Sequence, residues 1–72
     1  SKRTTRDKLM TYLLSQAKIH GSSSFEIPFD RQELADYLGV ERSAMSKEIS
    51  KMKDDGLIEC ERSWFKVKGD VI

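Results

Sequence analysis

Two stretches with apolar residues at helical spacing lie on either side of a single glycine, Gly39, and this arrangement constrains the fold more than any other feature. The stripes consist of Leu34, Ala35 and Leu38 before the glycine, and of Met45, Ile49 and Met52 after it. Gly39 can adopt the positive φ of a tight turn, and Ala35 is small enough to let two helices cross closely. The pattern therefore predicts a short helix that stops at Gly39, followed by a third helix over residues 41–55.

A longer apolar stripe precedes this pair and predicts a first helix over residues 5–19. Around the helix axis, at 100° per residue, its members lie within an arc of about 140°. These residues are Leu9, Met10, Leu13, Leu14 and Ala17. Gly21 is a suitable C-terminal stop. Tyr12 lies off the stripe, at about 300° when Leu9 is at 0°. We therefore expect Tyr12 to pack against a domain outside this chain.

Three short strands are predicted around the helices. Residues 25–27 alternate apolar and polar before Pro28, and proline removes a ladder donor, so this strand belongs at a sheet edge. Residues 57–61 and 64–68 predict a hairpin, with Arg62 and Ser63 at its tip. The element order is helix, strand, helix, turn, helix, hairpin.

The second helix begins with a pattern of its own. Asp30 is followed three residues later by Glu33, as in a capping box. Capping is the role we expect for both acids.

Composition narrows the function mainly by exclusion. With 72 residues, the chain has room for one domain, residues 1–72. Apolar runs are too short for a membrane span, and one cysteine with one histidine makes neither a disulfide nor a zinc site. The chain shows no nucleophile motif, carboxylate pair or glycine-rich phosphate loop. We expect no enzyme activity, no metal and a cytoplasmic location. The first residue is serine, which favours a piece of a longer protein.

Charge is segregated along the chain although the net charge is only +1. Residues 23–41 hold five acids and one base, residues 42–53 hold four bases and one acid, and residues 54–61 hold four acids and no base. Basic islands separated by acidic ones can give a nearly neutral protein a positive face.

The outward face of the third helix is small, hydroxylic and basic. Opposite the apolar stripe lie Ser43, Lys47 and Ser50, flanked by Arg42 and Ser46. Spacing alone leaves two interpretations open, an ordinary solvated helix or a surface that binds a ligand.

The element order adds a second argument. Two short helices joined by a glycine-containing turn form a helix-turn-helix, and the hairpin that follows is a wing. The segment FDRQELADYLGVERSAMSKEISKMKDDGLI also resembles the C-terminal DNA-binding domain of the CRP/FNR superfamily of bacterial transcription regulators. The resemblance runs over about residues 5–67. It implies an α+β winged helix-turn-helix that binds duplex DNA sequence-specifically, with the third helix in the major groove.

Carried over by position, the resemblance implies base reading by Arg42, Ser43, Ser46 and Lys47. Family members usually have Glu at position 43 and Arg at position 47, so this chain departs from the pattern at both. Ser43 discriminates less than Glu, and Lys47 lacks the planar fork of Arg. The half-sites usual for the family are therefore not assumed. Glu48 is a further departure, since an apolar residue often occupies that position.

Phosphate contacts are expected beside the base-reading helix. Arg31 and Gln32 at the start of the second helix, and Arg62 and Ser63 at the wing tip, are the residues assigned to this role.

The resemblance also implies partners. In that family a sensor domain and a dimerisation helix precede this domain, so we expect a homodimer formed through a segment outside these residues. The expected ligand is an inverted-repeat operator with half-sites about one helical turn apart. RNA polymerase is a further expected partner, whereas a membrane is not. We expect no cofactor in this domain, because an effector would bind the sensor domain.

A second function class remains open. The near-neutral charge and the acidic run at residues 54–61 would also suit a winged helix that binds protein. Such a module would show no salt-dependent DNA binding, whereas a DNA-binding domain loses affinity steeply as salt rises.

Overall fold

The structure is a computed structural model that describes residues 3–68. Its elements are α1 (Thr5–His20), β1 (Ser24–Glu26), α2 (Arg31–Leu38), α3 (Arg42–Asp54), β2 (Ile58–Glu61) and β3 (Trp64–Val67). The predicted α+β winged helix-turn-helix is confirmed. The predicted bounds of α1 and of the two hairpin strands are one residue off at one end, and those of β1 and α3 are one residue off at both ends.

The three strands form one antiparallel sheet in the order β1-β3-β2. Phe65 of the central strand pairs with Phe25 on one side and with Cys60 on the other. The edge position predicted for β1 from Pro28 is therefore correct. The hairpin turns at Arg62, which has a φ of 54°. The backbone N–H of Ile27 donates to the carbonyl oxygen of Ser63 at 2.9 Å, which ties the hairpin tip to the chain after β1.

The core lies between the helices and the sheet and is built from hydrophobic side chains. Its buried members are Leu9, Tyr12, Leu13, Ala17, Phe25, Ile27, Leu34, Ala35, Met45, Ile49, Met52, Ile58, Phe65 and Val67. Within residues 3–68 no polar or charged residue is fully buried. Burial of apolar area is thus the main stabilising contribution. The predicted stripes of α2 and α3 are confirmed except that Leu38 is only half-buried.

The turn between α2 and α3 has the predicted geometry. Gly39 is left-handed, with φ 72° and ψ 38°, and its N–H donates back to the carbonyl oxygens of Ala35 and Asp36. Ala35 is fully buried where the helices meet. This turn sets the angle at which α3 leaves α2.

The expectation for Tyr12 is wrong. Its side chain is only 9% exposed, and its ring centroid lies 6.1 Å from that of Phe29 and 5.4 Å from that of Tyr37. The single-stripe description of α1 overlooked a second packing surface, which Phe29 and Tyr37 supply from later in the chain. Burial, with a smaller contribution from Tyr37, raises the pKa of Tyr12 above its ordinary value.

Candidate nucleic-acid interface

The start of α2 is closed by its own acids. The Glu33 N–H donates to Asp30 Oδ1 at 2.8 Å, and the Asp30 N–H donates to Glu33 Oε1 at 2.9 Å. This is the capping box predicted from the sequence, and it is confirmed. Both carboxylates are turned back onto the helix start, so Arg31 and Gln32 supply the polar groups that extend from it.

The start of α3 is built differently. Glu41 is the N-cap residue but makes no side-chain capping hydrogen bond. Its Oε1 instead accepts from Ser43 Oγ at 2.6 Å. Both residues are exposed, so an acceptor stands beside the predicted base-reading serine. Our sequence interpretation missed Glu41. The available signal was an N-cap without the short polar side chain that caps usually have.

A cleft of about 280 Å³ lies between the starts of α2 and α3 and the hairpin tip. We call it the arginine cleft, and its lining residues are Asp30, Arg31, Gln32, Arg42, Arg62 and Ser63. The structure thus brings all four predicted phosphate-binding residues together with Arg42. Three arginines face one aspartate there, and that aspartate is engaged in the cap. The cleft is therefore suited to an anion.

The side chain of Arg31 is held in place by two residues of the hairpin strands. Its Cζ lies 5.1 Å from the centroid of the Phe65 ring, and its Nη2 lies 3.6 Å from Cys60 Sγ. A guanidinium over an aromatic face is attracted by the ring quadrupole. Because Phe65 is fully buried, the ring is a fixed support. Arg31 therefore loses less conformational freedom on binding an anion than a freely moving arginine would.

The two neutral residues of the cleft already use donors inside the protein. Gln32 Nε2 donates to Asp36 Oδ1 at 2.9 Å, and Ser63 Oγ donates to the Phe29 carbonyl oxygen at 2.8 Å. An amide group has a second proton to offer, whereas a hydroxyl has only one. A phosphate could thus use Gln32 without breaking its bond, but would have to displace the side-chain bond of Ser63.

A second groove, of about 410 Å³, separates α3 from the hairpin. We call it the hairpin groove, and it is lined by Arg31, Ser46, Ile49, Ser50, Lys53, Cys60, Glu61 and Arg62. Arg31 and Arg62 belong to both clefts and join them into one basic surface. Our sequence interpretation did not include Ser50 or Lys53 among the site residues. The placement of β2 beside α3 brings them to the groove, and no local pattern encodes that.

The remaining two predicted base-reading residues stand apart. Ser43 and Lys47 are exposed on α3 and line neither the arginine cleft nor the hairpin groove. They extend the basic, hydroxylic face of α3 away from the hairpin. The surface as a whole presents hydrogen-bond donors and positive charge along one helix and its flanks.

Between residues 3 and 68 no three His, Cys, Asp or Glu side chains come together as a metal site would require. None of the helices in that range has both the length and the apolarity to cross a membrane.

A helix-turn-helix followed by a hairpin, with a basic face on the second helix of the pair, defines the winged helix-turn-helix class of DNA-binding domains. Residues 7–68 match the Crp-like helix-turn-helix domain family, and the chain belongs to that family. The resemblance found in the sequence is thereby confirmed. This family comprises DNA-binding domains of transcription regulators, which is not an enzyme class.

Two curated relatives are transcriptional activators. The chain is 32% identical over 69 residues to the transcriptional activator protein FnrL of Cereibacter sphaeroides, a match covering 83% of this chain and 28% of that protein. It is 27% identical over 66 residues to the transcriptional activator protein FnrA of Stutzerimonas stutzeri, covering 85% of this chain and 27% of that protein. The chain thus spans under a third of the length of these relatives.

Proposed function

We propose that this chain is the sequence-specific DNA-binding domain of a dimeric CRP/FNR-type transcription regulator. In this proposal α3 enters the major groove, and Arg42, Ser43, Ser46 and Lys47 contact base edges. Arg31, Gln32, Arg62 and Ser63 contact the phosphates beside them. Arg42 is the first choice for guanine, because a guanidinium can donate to O6 and N7 together.

One observation carries the proposal: Arg42 of α3 shares a cleft with Arg31 and Arg62. A base-reading helix needs backbone contacts beside it, since phosphate contacts set the register in which side chains meet base edges. The arginine cleft supplies both kinds of group within one continuous surface. The major groove, about 12 Å wide, accepts a single helix.

The dimer and the remaining partners follow from the same proposal. Two copies would bind an inverted repeat whose half-sites lie about 34 Å apart, one helical turn of DNA. The dimer contact, and any effector site, would belong to a segment outside these 72 residues. RNA polymerase would be the partner at the promoter, and the cytoplasm the compartment.

Selection from a random duplex pool tests the proposal directly. The chain is fused to a short dimerising coil and the selection is run at two salt concentrations. We expect enrichment of a two-fold symmetric motif, and retention that falls as salt rises, because phosphate contacts release counterions. Retention without any enriched motif would contradict sequence-specific binding.

The alternative, a winged helix that binds protein, has less support. Interfaces of that kind concentrate aromatic and apolar anchors at their centre. The exposed side chains of α3 are Arg42, Ser43, Ala44, Ser46, Lys47, Ser50, Lys51, Lys53 and Asp54, which include no large apolar residue. The absence of salt-sensitive retention in the selection would favour this alternative.

A further inference from the structure

Arg6, in the first turn of α1, forms ion pairs with two acids of the α3 region. Its Nε lies 2.6 Å from Glu48 Oε2, and its Nη2 lies 3.0 Å from Asp55 Oδ2. Within residues 3–68 these are the only ion pairs that connect α1 to the α3 region. Glu48 and Asp55 are seven residues apart, about 10 Å along a helix axis. One side chain thus holds the α3 segment at two separated points.

Glu48 is the less exposed acid of the pair. Its side chain is 21% exposed, compared with 54% for Asp55. It precedes Met52 by four residues and so lies about 40° from it, at the margin of the buried stripe. A carboxylate in that position needs a partner that offsets its lost hydration. Arg6 is that partner, and its hydrogen bonds to Glu48 and Asp55 raise the pKa of Arg6 above its ordinary value.

The end of α3 gives the same side chain a second role. Asp54 and Asp55 place negative charge at a helix C-terminus, where the helix dipole disfavours it. The guanidinium of Arg6 neutralises Asp55 there. We call the two ion pairs of Arg6 with Glu48 and Asp55 the bridge. With one cation from α1, the bridge compensates for two acids, Glu48 and Asp55, that are each in a locally unfavourable position.

Flexible side chains make much of the contact between α3 and the core. Two of the three buried side chains of α3 are Met45 and Met52, and methionine is flexible enough to fill a space of changed shape. A rotation of about 20° would move an atom on the helix surface by about 2 Å, given a helix radius of about 5–6 Å. Hydrogen bonds tolerate only about 0.5 Å of variation in length. A rotation of that size would therefore misplace the base-reading side chains.

We propose that Arg6 is a positioning residue for DNA reading, which sets the rotation of α3 relative to α1 through Glu48 and Asp55. It acts through α3 and contacts no base. The inference rests on the proposed function, because what it controls is the preference of α3 for one DNA sequence over others. It predicts that breaking the bridge lowers specificity more than it lowers general DNA affinity.

Arg6→Lys tests the bridge without changing charge. A lysine ammonium keeps the positive charge but lacks the planar fork that serves two carboxylates in fixed directions. We expect the ratio of operator affinity to random-duplex affinity to fall about threefold, in the range of a surface ion pair. Affinity for random duplex should stay the same. Arg3→Lys is the matched control, because Arg3 is exposed and has no ion pair within residues 3–68.

Glu48→Gln breaks the same bridge at its acidic partner. The change in charge and the loss of the bridge should have opposite effects on DNA binding. Removal of a negative charge should strengthen binding to every DNA. The positioning role nevertheless predicts a lower ratio of operator to random-duplex affinity. Asp54→Asn removes one negative charge from the same helix outside the bridge, so it should leave the ratio unchanged. Equal ratios in Glu48→Gln and Asp54→Asn would overturn the proposal.

A measurement without DNA separates this inference from the proposed function. Residual dipolar couplings of the backbone N–H and Cα–Hα bonds of α1 and α3 report the relative orientation of the two helices, including the rotation of α3 about its own axis, in the free 72-residue chain. We expect the orientation to change in Arg6→Lys and Glu48→Gln but not in Arg3→Lys or Asp54→Asn. An unchanged orientation in both bridge variants would overturn the inference. If the unaltered chain prefers no DNA sequence, the proposed function fails, and the couplings still decide whether Arg6 sets the rotation of α3.

Discussion

At the start of α2, the Asp30 side chain accepts a hydrogen bond from the Glu33 N–H, whereas at the start of α3 the Glu41 side chain accepts none from the helix backbone. The two helices belong to one motif and are separated by a three-residue turn, Gly39 to Glu41. In α2 the capping box satisfies helix donors within the protein. In α3 the acid accepts from the Ser43 hydroxyl instead, and the N–H groups of the first turn receive no side-chain cap.

The difference in capping indicates different roles for the starts of α2 and α3. A capped start stabilises its helix, and the acids of the cap also offset the positive end of the helix dipole. Anions beside α2 therefore depend on the side chains of Arg31 and Arg62 more than on the helix itself. An uncapped start contributes less to stability and keeps its donors free for a ligand. We expect variants at the two starts to separate stability from DNA reading.

Arg42→Ala should give the largest effect, and it should appear in DNA binding alone. Loss of a bidentate base contact costs about 1–3 kcal/mol of operator binding and relaxes specificity at one base pair. The free energy of unfolding should change by less than about 0.5 kcal/mol, because Arg42 is exposed. Titration of the selected operator and its single-base variants, with parallel denaturant unfolding, checks both statements.

Lys51→Ala is the control for this variant. It removes one exposed cation from the same helix outside both clefts. Equal losses of specificity in Arg42→Ala and Lys51→Ala would show that charge, rather than base reading, accounts for the effect.

Asp30→Ala should show the reverse pattern. Loss of an N-cap costs about 1 kcal/mol of unfolding free energy. The base preference should not change, since Asp30 points back into the cap. Asp30→Ser keeps a capping oxygen and should restore most of the stability, as measured by denaturant unfolding. A changed operator preference in Asp30→Ala would contradict the statement that the start of α2 contributes to stability and not to base preference.

Local signals in the sequence were sufficient for most of the fold. The Asp30 and Glu33 pattern, the Gly39 turn and the alternation before Pro28 each depend on residues close in the chain. These features could therefore be read without knowing the tertiary structure. The hairpin tip at Arg62 was predicted in the same way.

Contacts between distant segments were not predictable by the same means. Tyr12 is buried by Phe29 and Tyr37, which approach from another part of the chain, and a helical wheel of α1 contains no information about them. Glu48 departed from the family pattern, but its partner Arg6 lies 42 residues earlier. The candidate site shows the same limit. Its base-reading residues could be chosen by resemblance, and its phosphate-contacting residues by their place at a helix start and a hairpin tip. Their grouping into the arginine cleft, in contrast, depends on where the hairpin packs.

Arg62→Asn tests the statement that anions beside the capped start of α2 are bound by arginine side chains. Asparagine tolerates the positive φ at this position, so the hairpin turn should persist. Because each subunit of the variant neutralises one phosphate fewer, the slope of log affinity against log salt should become shallower by about 0.9 for each bound subunit. Operator and random duplex should lose affinity equally. Lys66→Gln, a change at an exposed cation of the hairpin outside both clefts, should leave the slope as it was. An unchanged slope in Arg62→Asn would indicate that the wing tip does not contact phosphate.

Glu41→Ser should give the smallest effect. It tests directly whether the missing side-chain cap at the start of α3 lowers stability. A serine hydroxyl at this N-cap can accept from an N–H of the first turn, which the Glu41 side chain does not do, so we expect a gain of about 0.5 kcal/mol in unfolding free energy. Glu41→Ala offers no cap and should leave stability within about 0.5 kcal/mol of the original. Denaturant unfolding of the two variants measures the difference. If Glu41→Ala destabilised the chain as much as Asp30→Ala does, the two helix starts would be equivalent in stability, and the uncapped start of α3 could not be attributed to DNA reading.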